Sequence, residues 1–343
     1  MRQDNLRLIN TIKDKKILLI TTKNLDYIRV IQEINLLNNY SNALTIIGSN
    51  SKHYLKRIIH VFINLLLLNA SNYDVIFIAH ASQLVVPFFR HKFKNQLVII
   101  DFFISLYDTG CFDRKYFKPR SLPGKILNWM DRITIEYGDI IICDTNAHRD
   151  YFIDEFNVSK EKLLTLYIQS PINNDQFKKL TNLSTHSQSC FHVLYFGSIL
   201  PLQGVEIILN AIALFKNTPN IRFTIIGPIN KKLKKIAPVS SNITYINWLS
   251  QSDLYKYIKI SDLCLAGHFN SDIAKASRTI PGKAYIYQAF NKPMILGDNP
   301  ANREVFSEDS PGIYYVQMGD HIELAKLIHS IYLKHIHQTG TLV

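Results

Sequence analysis

Short runs of β-branched residues alternate with longer amphipathic segments along nearly the whole chain, and this alternation constrains the fold more than any other feature. Such alternation is typical of parallel strands joined by crossover helices. In the first half it predicts strands at 16–21, 43–48, 73–79, 96–101, 139–144 and 163–168. The sequence therefore predicts an α/β fold.

The alternation stops between residues 169 and 190, where the sequence is polar and rich in turn-forming residues. It then resumes and predicts strands at 191–196, 221–226, 242–247, 262–266, 293–296 and 312–316. We therefore predict two Rossmann-like, doubly wound domains, at 1–168 and 191–343, joined by a linker at 169–190. Because ligands of open α/β sheets bind beyond the carboxyl ends of the strands, we expect the site in a cleft between the domains.

Composition excludes several classes of protein. The 343 residues are 47% apolar and 19% charged, which indicates a globular chain rather than a disordered one. The four cysteines have no C-x-x-C spacing, so neither a zinc knuckle nor a disulfide framework is predicted. We expect no metal site, a cytoplasmic location, and neither a signal peptide nor a membrane-spanning helix.

Positive charge is concentrated in the first third of the chain. The net charge is +12, and residues 1–125 hold 18 Lys and Arg against 8 Asp and Glu. Nucleic acid, anionic lipid and a phosphorylated substrate are all attracted by such a surface. The most apolar stretch, residues 58–68, follows Lys56 and Arg57 and fits either a buried helix or a helix on a membrane surface. We favour the buried helix, and we expect loose contact with the inner face of the plasma membrane.

A strand that ends at Gly197 and Ser198 is followed by a loop, and Gln203 and Gly204 then open a helix. This arrangement leaves backbone N–H groups free at the start of the helix, where a phosphate can bind. An ordinary tight turn explains the same residues equally well.

Three cations, Lys275, Arg278 and Lys283, lie within nine positions of one another, at the start of a helix that Pro281 opens. Together they could neutralise a diphosphate. The alternative is a solvated basic loop, but the segment follows the end of a predicted strand, and we therefore favour a binding site.

The order of these pieces, with the segments 223–227, 242–248, 257–262 and 282–295, resembles the nucleotide-sugar domain of GT-B glycosyltransferases, most closely family 4. The segments 101–109, 113–117 and 144–152 resemble the acceptor domain of a bacterial surface-polysaccharide branch. The resemblance implies transfer of a sugar from a nucleoside diphosphate sugar to a glycan or lipid-linked acceptor. It further implies a retaining reaction that needs neither metal nor cofactor.

Carried over by position, the resemblance implies a set of donor-binding residues: Gly197, Ser198, Gln203, Gly204, Gly227, Lys275, Arg278, Lys283 and Tyr285. The sequence departs from the family where two glutamates are common, because Arg278 and Ile286 stand there. Gln203 likewise replaces a common lysine. These changes indicate either that the contacts have moved to other cations or that the site is impaired, and we favour the first.

Candidates for the acceptor side follow the strands of the first half. Asp101, Asp108 and His80 are candidate catalytic residues, since a carboxylate or imidazole can orient an acceptor hydroxyl and take its proton. Asp113 and Arg114 would form an acceptor loop. The structural alternatives are that Asp113 and Arg114 pair to hold the loop and that Asp144 caps the next helix.

Three other functions stay open. A sugar-nucleotide epimerase of the same fold would need an acid and a base beside the sugar ring. A non-catalytic binder of glycans or nucleotides would explain Arg278 and Ile286. A nucleic-acid module ranks third, because the aromatic residues do not form the stacking platform that single strands require.

Overall fold

A computed structural model describes residues 2–169 and 190–339. The chain divides into two compact units, Met1–Pro171 and Ile172–Val343. Each unit contains one parallel six-stranded sheet with helices against it. The linker predicted at 169–190 lies outside the described residues, apart from its two end positions.

The strands of the N-terminal unit are β1 (Lys16–Thr21), β2 (Ala43–Ile47), β3 (Val75–Ala79), β4 (Leu97–Asp101), β5 (Ile140–Cys143) and β6 (Leu163–Thr165). Its helices are α1 (Arg2–Ile12), α2 (Ile28–Tyr40), α3 (Tyr54–Leu67), α4 (Val86–Phe89), α5 (Leu122–Tyr137) and α6 (Asn146–Phe156). The sheet order is β2-β1-β3-β4-β5-β6, and every pairing is parallel.

Both faces of this sheet are buried, which explains why its strands are almost continuously apolar. Ile20 and Ile78 belong to one core, which they share with residues of α3, α4 and α5. Leu19 and Phe77, the preceding residue in each strand, belong to the core on the opposite face with α1 and α2. Successive side chains of a strand point to opposite faces, so one apolar strand supplies both cores.

The strands of the C-terminal unit are β7 (Phe191–Phe196), β8 (Ile221–Ile226), β9 (Ile243–Ile246), β10 (Leu263–Gly267), β11 (Met294–Gly297) and β12 (Ile313–Val316). Its described helices are α7 (Val205–Ala213), α8 (Lys231–Lys234), α9 (Gln251–Ile260), α10 (Gly282–Ala289), α11 (Pro300–Arg303) and α12 (His321–Thr339). The sheet order is β9-β8-β7-β10-β11-β12, and every pairing is parallel. The chain adds β8 and β9 on one side of β7 and then β10, β11 and β12 on the other side, so the switch point lies between β7 and β10. Ligands of such sheets bind at this switch point, beyond the carboxyl ends of the two strands.

The prediction of two doubly wound α/β domains is confirmed, and each of the twelve predicted strands is present. The preference for a buried helix at 58–68 is wrong for one of its faces. Val61 and Leu65 pack against the sheet, whereas Ile59 and Ile63 on the outer face of α3 are 57% and 53% exposed. Within residues 2–169 and 190–339 the structure has no helix that is long and apolar enough to cross a membrane.

Candidate functional site

The carboxyl end of β7 lies at the switch point of the C-terminal sheet. Gly197 follows β7 with a φ of 144°, a conformation that side chains disfavour, and a Cβ there would lie 3.0 Å from Lys283 Nζ. Gly227, which follows β8, comes so close that a Cβ on it would meet Gly197 O at 2.3 Å. The backbone at Gly197 is therefore bare and lies directly beside a lysine ammonium.

Gly204 precedes the first turn of α7 in the left-handed conformation, with a φ of 65°. A Cβ there would lie 2.7 Å from the backbone nitrogen of Asn270. The Phe269 N–H also donates to Gln203 O over 3.2 Å, which joins the loop after β7 to the segment after β10. No side chain caps the start of α7, so its first N–H groups are available to an anion.

Lys283 lies in the first turn of α10 and is only 7% exposed. Its Nζ lies 4.0 Å from the ring centroid of Tyr195 and donates to Gln203 Oε1 over 2.6 Å. Burial lowers the pKa of Lys283 well below its ordinary value, and no described carboxylate offsets that effect. A buried cation without a counter-ion is unfavourable, so this position favours a bound anion.

His268 follows β10 directly and is buried. Its Nδ1 donates to Thr279 O over 2.9 Å. Burial and the neighbouring charge of Lys283 lower the pKa of His268 to about 3. The imidazole is therefore neutral and contributes no positive charge of its own at neutral pH.

Sequence analysis missed both His268 and Tyr195. Tyr195 is fully buried under Lys283, its pKa is raised by burial, and its hydroxyl has no hydrogen-bond partner within the described part of the chain. His268 could have been found, because it follows the strand that adjoins β7 at the switch point. Tyr195 could not, since nothing in the sequence shows that Lys283 packs on its ring.

The other predicted donor-binding residues differ in their exposure and in what they contact. Ser198 is exposed, and Lys275 is 8% exposed and close enough to His268 to lower its pKa. Arg278 lies three residues further on, where its N–H donates to Lys275 O over 3.1 Å. Tyr285 is buried with its ring 5.7 Å from that of Phe306. The structure therefore brings together Gly197, Gln203, Gly204 and Lys283, with Lys275 beside His268.

In the N-terminal unit, Asp101 is fully buried at the end of β4 and forms a two-point ion pair with Arg29 of α2. The distances are 3.0 Å from Nη2 to Oδ1 and 3.3 Å from Nε to Oδ2. Glu33 lies 3.4 Å from the same guanidinium, and burial raises the pKa of Glu33 well above its ordinary value. Both Asp101 oxygens are therefore engaged in joining β4 to α2.

The loop after β4 is held by a carboxylate that sequence analysis did not consider. Asp131 of α5 accepts hydrogen bonds from Ser105 Oγ at 2.7 Å, from Tyr107 N at 2.8 Å and from Gln83 Nε2 at 2.9 Å. Burial raises the pKa of Asp131 to about 6, although these donors oppose the shift. The loop is thus fixed just before the predicted acceptor residues begin.

Asp108 and Asp113 begin and end a short π-helix, Asp108–Asp113, and Arg114 follows it directly. Asp108 is buried, and its N–H donates to Ser105 Oγ over 2.9 Å. Asp113 is buried as well and lies 3.4 Å from the Nε of Arg114, an arrangement that agrees with the structural alternative of a pair holding the loop.

His80 follows β3 in the left-handed conformation, with a φ of 37°. Its ring lies 5.3 Å from that of Tyr27 and 6.0 Å from that of Phe103. A left-handed histidine is uncommon and is often found at functional sites.

The suggestion that Asp144 caps α6 is wrong. Thr145 caps the helix by accepting from His148 N, while Asp144 Oδ1 lies 2.7 Å from His148 Nδ1. Over the described ranges, no three His, Cys, Asp or Glu side chains are grouped so that they could hold a metal ion.

Comparison with known proteins connects the C-terminal unit to sugar transfer. Residues 190–333 match the family model described as glycosyl transferases group 1. The chain is 24% identical over 229 residues to chitobiosyldiphosphodolichol beta-mannosyltransferase of Candida albicans, a match that covers 61% of this chain and 49% of that protein. The chain thus spans about half the length of this curated relative.

Solved structures establish the fold. Sucrose-phosphate synthase of Thermosynechococcus elongatus has a TM-score of 0.65 at 12% identity, over 93% of this chain and 90% of that one. Anabaena HepE, solved in complex with UDP and glucose, has a TM-score of 0.59 at 12% identity over the same shares. The chain has the α/β fold of GT-B glycosyltransferases, and residues 190–333 of its C-terminal unit are similar to the glycosyl transferases group 1 family. The matches support the prediction of a transferase enzyme.

Proposed function

We propose that this protein transfers a sugar from a nucleoside diphosphate sugar to a glycan or lipid-linked acceptor, with retention of configuration and without a metal ion. The observation that carries the proposal is Lys283, a buried ammonium at the switch point with no described carboxylate beside it. The group 1 domain match over residues 190–333 supports sugar transfer as the reaction.

The donor diphosphate would lie against the bare backbone at Gly197 and the uncapped first turn of α7. Negative charge grows on the diphosphate as the bond to the sugar breaks, and fixed cations and N–H groups stabilise that charge. Lys283 would exchange its hydrogen bond to Gln203 Oε1 for one to a phosphate oxygen. Lys275 and Arg278 would add positive charge from the turn before α10.

On the acceptor side, we propose that His80 or Asp108 orients the acceptor hydroxyl. Asp101 acts as a positioning residue instead, since both its oxygens are held by Arg29. Asp113 and Arg114 would shape the loop that receives the acceptor.

The name of the fungal relative includes chitobiosyldiphosphodolichol, which is a glycan linked to a lipid through a diphosphate. A lipid-linked acceptor for this chain agrees with that name. We therefore propose a cytoplasmic protein that contacts the inner face of the plasma membrane. The excess of positive charge in residues 1–125 supports that location, because the lipids of this leaflet are anionic. A bacterial surface-polysaccharide pathway of family 4 enzymes is part of the same proposal.

A binder without catalytic activity is the second candidate. Arg278 and Ile286 stand where the resemblance leads us to expect two carboxylates, and neither side chain can accept a hydrogen bond from a ribose hydroxyl. Such a binder would hold the nucleoside diphosphate sugar and give no product with any acceptor.

The test is a thermal-shift panel of nucleoside diphosphates and their sugars, followed by product analysis with the best donor. We expect a diphosphate to raise the melting temperature of the wild type but not of Lys283→Met. The matched control is Lys256→Met, because Lys256 is a half-exposed lysine in the same unit. An equal shift in Lys283→Met would remove the proposed role of the lysine, and binding without product across acceptors would favour the second candidate.

A further inference from the structure

Exposed apolar side chains run along the whole length of the outer surface of α3. Its exposed side chains recur at helical spacing and lie on one side of the helix: Leu55 (72% exposed), Ile59 (57%), Ile63 (53%), Leu66 (65%) and Leu67 (83%). The inner surface of the same helix packs on the sheet through Val61 and Leu65. Helix α3 is therefore apolar on both sides, which burial against the sheet alone does not require.

Two neighbouring helices extend this surface. Phe62 of α3 contacts Phe88 and Phe89 of α4, with ring centroids 5.7 Å and 5.0 Å apart, and Phe88 is 54% exposed. Helix α4 also packs against α5, and all three helices cover the same face of the sheet. The outer side of α5 adds three more exposed residues at helical spacing: Leu122 (72%), Ile126 (47%) and Trp129 (52%). We name these outer sides of α3, α4 and α5 the apolar face.

The helices on the opposite side of the sheet expose few large apolar side chains. Among the described residues of α1 and α2, which cover that side, the large apolar side chains that are exposed are Leu6 and Tyr40. Scattered single residues of this kind are normal on soluble proteins, whereas a contiguous apolar surface marks a binding site.

Positive charge predominates along α3, α4 and the first half of α5. Residues 34–73, 75–100 and 114–130 contain no Asp or Glu, although they include α3, α4 and the first half of α5. The exposed cations in these segments are Lys52, Lys56, Arg90, Lys94, Lys115, Lys118, Arg120 and Lys125. A second copy of the same face would be repelled by these charges, whereas anionic headgroups would be attracted.

We propose that the apolar face lies flat on an anionic lipid bilayer. Its leucine, isoleucine and aromatic side chains insert among the acyl chains near the headgroups, while the surrounding lysines and arginines contact the lipid phosphates. This inference deepens the proposed function by naming the surface that contacts the membrane, and it rests on that function for the lipid-linked acceptor.

The experiment is flotation of the full chain with phosphatidylcholine vesicles that contain about 30% phosphatidylglycerol, compared with phosphatidylcholine alone. The face variant combines Ile59→Gln, Ile63→Gln and Leu67→Gln, all at exposed positions that the core does not use. The control variant combines Leu214→Gln and Val239→Gln, which are 57% and 91% exposed in the other unit. A charge variant combines Lys56→Glu and Lys125→Glu.

We expect the wild type and the control variant to float with the anionic vesicles, and the face variant to bind at least about tenfold more weakly. The charge variant should also bind about tenfold more weakly, and high salt should weaken the binding of the wild type to the anionic vesicles. Equal binding by the face variant and the wild type would overturn the proposal, as would a wild type that stays in the soluble fraction. A wild-type dimer in light scattering that the face variant dissociates would also overturn it, because a second copy would then cover the face.

The thermal shift with a nucleoside diphosphate, measured on the same samples, separates the two proposals. A face variant that leaves the vesicles but keeps the shift supports the membrane face. A wild type that floats but shows no shift contradicts the proposed function and leaves the membrane face supported.

Discussion

Lys283 donates a 2.6 Å hydrogen bond to the side-chain amide of Gln203, so a neutral group occupies the place where a buried lysine ordinarily has a carboxylate. The two residues lie 80 positions apart and join the start of α10 to the loop after β7. An amide oxygen stabilises an ammonium much less than a carboxylate does. A phosphate can therefore displace the Gln203 amide from Lys283.

Replacement of Lys283 by methionine should alter how stability depends on pH. Because burial lowers the pKa of Lys283, the unfolded chain binds more protons than the folded one between that lowered value and the ordinary value of about 10.4. The free energy of unfolding of the wild type should therefore rise with pH in this window, relative to Lys283→Met. Urea unfolding from pH 7 to 10 measures the difference, with Lys256→Met as the control. A parallel pair of curves would contradict the lowered pKa of the buried Lys283.

Two glycines near the site should respond oppositely to alanine. At Gly204 the φ of 65° and the 2.7 Å approach to a backbone nitrogen make a Cβ unfavourable, so Gly204→Ala should cost about 1–3 kcal/mol of stability. At Gly282, in the first turn of α10, a Cβ meets open space, so Gly282→Ala should gain about 0.5–1 kcal/mol. Chemical denaturation of both variants checks the sign, and destabilisation of similar size in both would count against this geometry.

Asp101→Asn should mainly destabilise the N-terminal unit. It leaves the Arg29 guanidinium buried beside a neutral amide, and removal of one partner from a buried pair costs about 3–5 kcal/mol. The control is Asp150→Asn, since Asp150 is 68% exposed. Denaturation and transferase assays on the folded fraction distinguish the roles. A variant with wild-type stability and no turnover would instead establish Asp101 as catalytic.

His268→Gln should make the protein less sensitive to acid. The lowered pKa of about 3 means that the unfolded chain binds the extra proton between pH 6.5 and pH 3, so the wild type loses stability as the pH falls through this range. The slope is at most about 1.4 kcal/mol per pH unit. Subtracting the His268→Gln curve removes the opposite contribution of Asp131, which both proteins share. His60→Gln, at an exposed position, should retain the wild-type slope.

The fold could be predicted because its strands are buried on both faces and are therefore apolar throughout, as in 75–79 and 97–100. The glycines of the switch point could be found for a similar reason, since Gly197 and Gly204 interrupt a strand and open a helix. Local sequence carries both signals.

The partners of the charged residues could not be predicted, because they come from distant parts of the chain. Asp101 resembled a free carboxylate at a strand end, yet Arg29 holds it across 72 positions. Asp131 accepts hydrogen bonds from four donors in two other segments of the chain, and nothing in the sequence around Asp131 indicates them. The exposure of Ile59 and Ile63 was equally hidden, because an evenly apolar helix does not reveal which of its sides meets the sheet.

The burial of Lys283 also makes donor docking a protonation event. A phosphate that replaces Gln203 would raise the pKa of Lys283 again, so the complex would take up protons at any pH between the lysine's pKa before and after docking. Calorimetric heats measured in buffers of different ionisation enthalpy would then differ, and affinity would fall as solutions become alkaline. The affinity of the switch point for a sugar donor would thus depend on the pH of the solution.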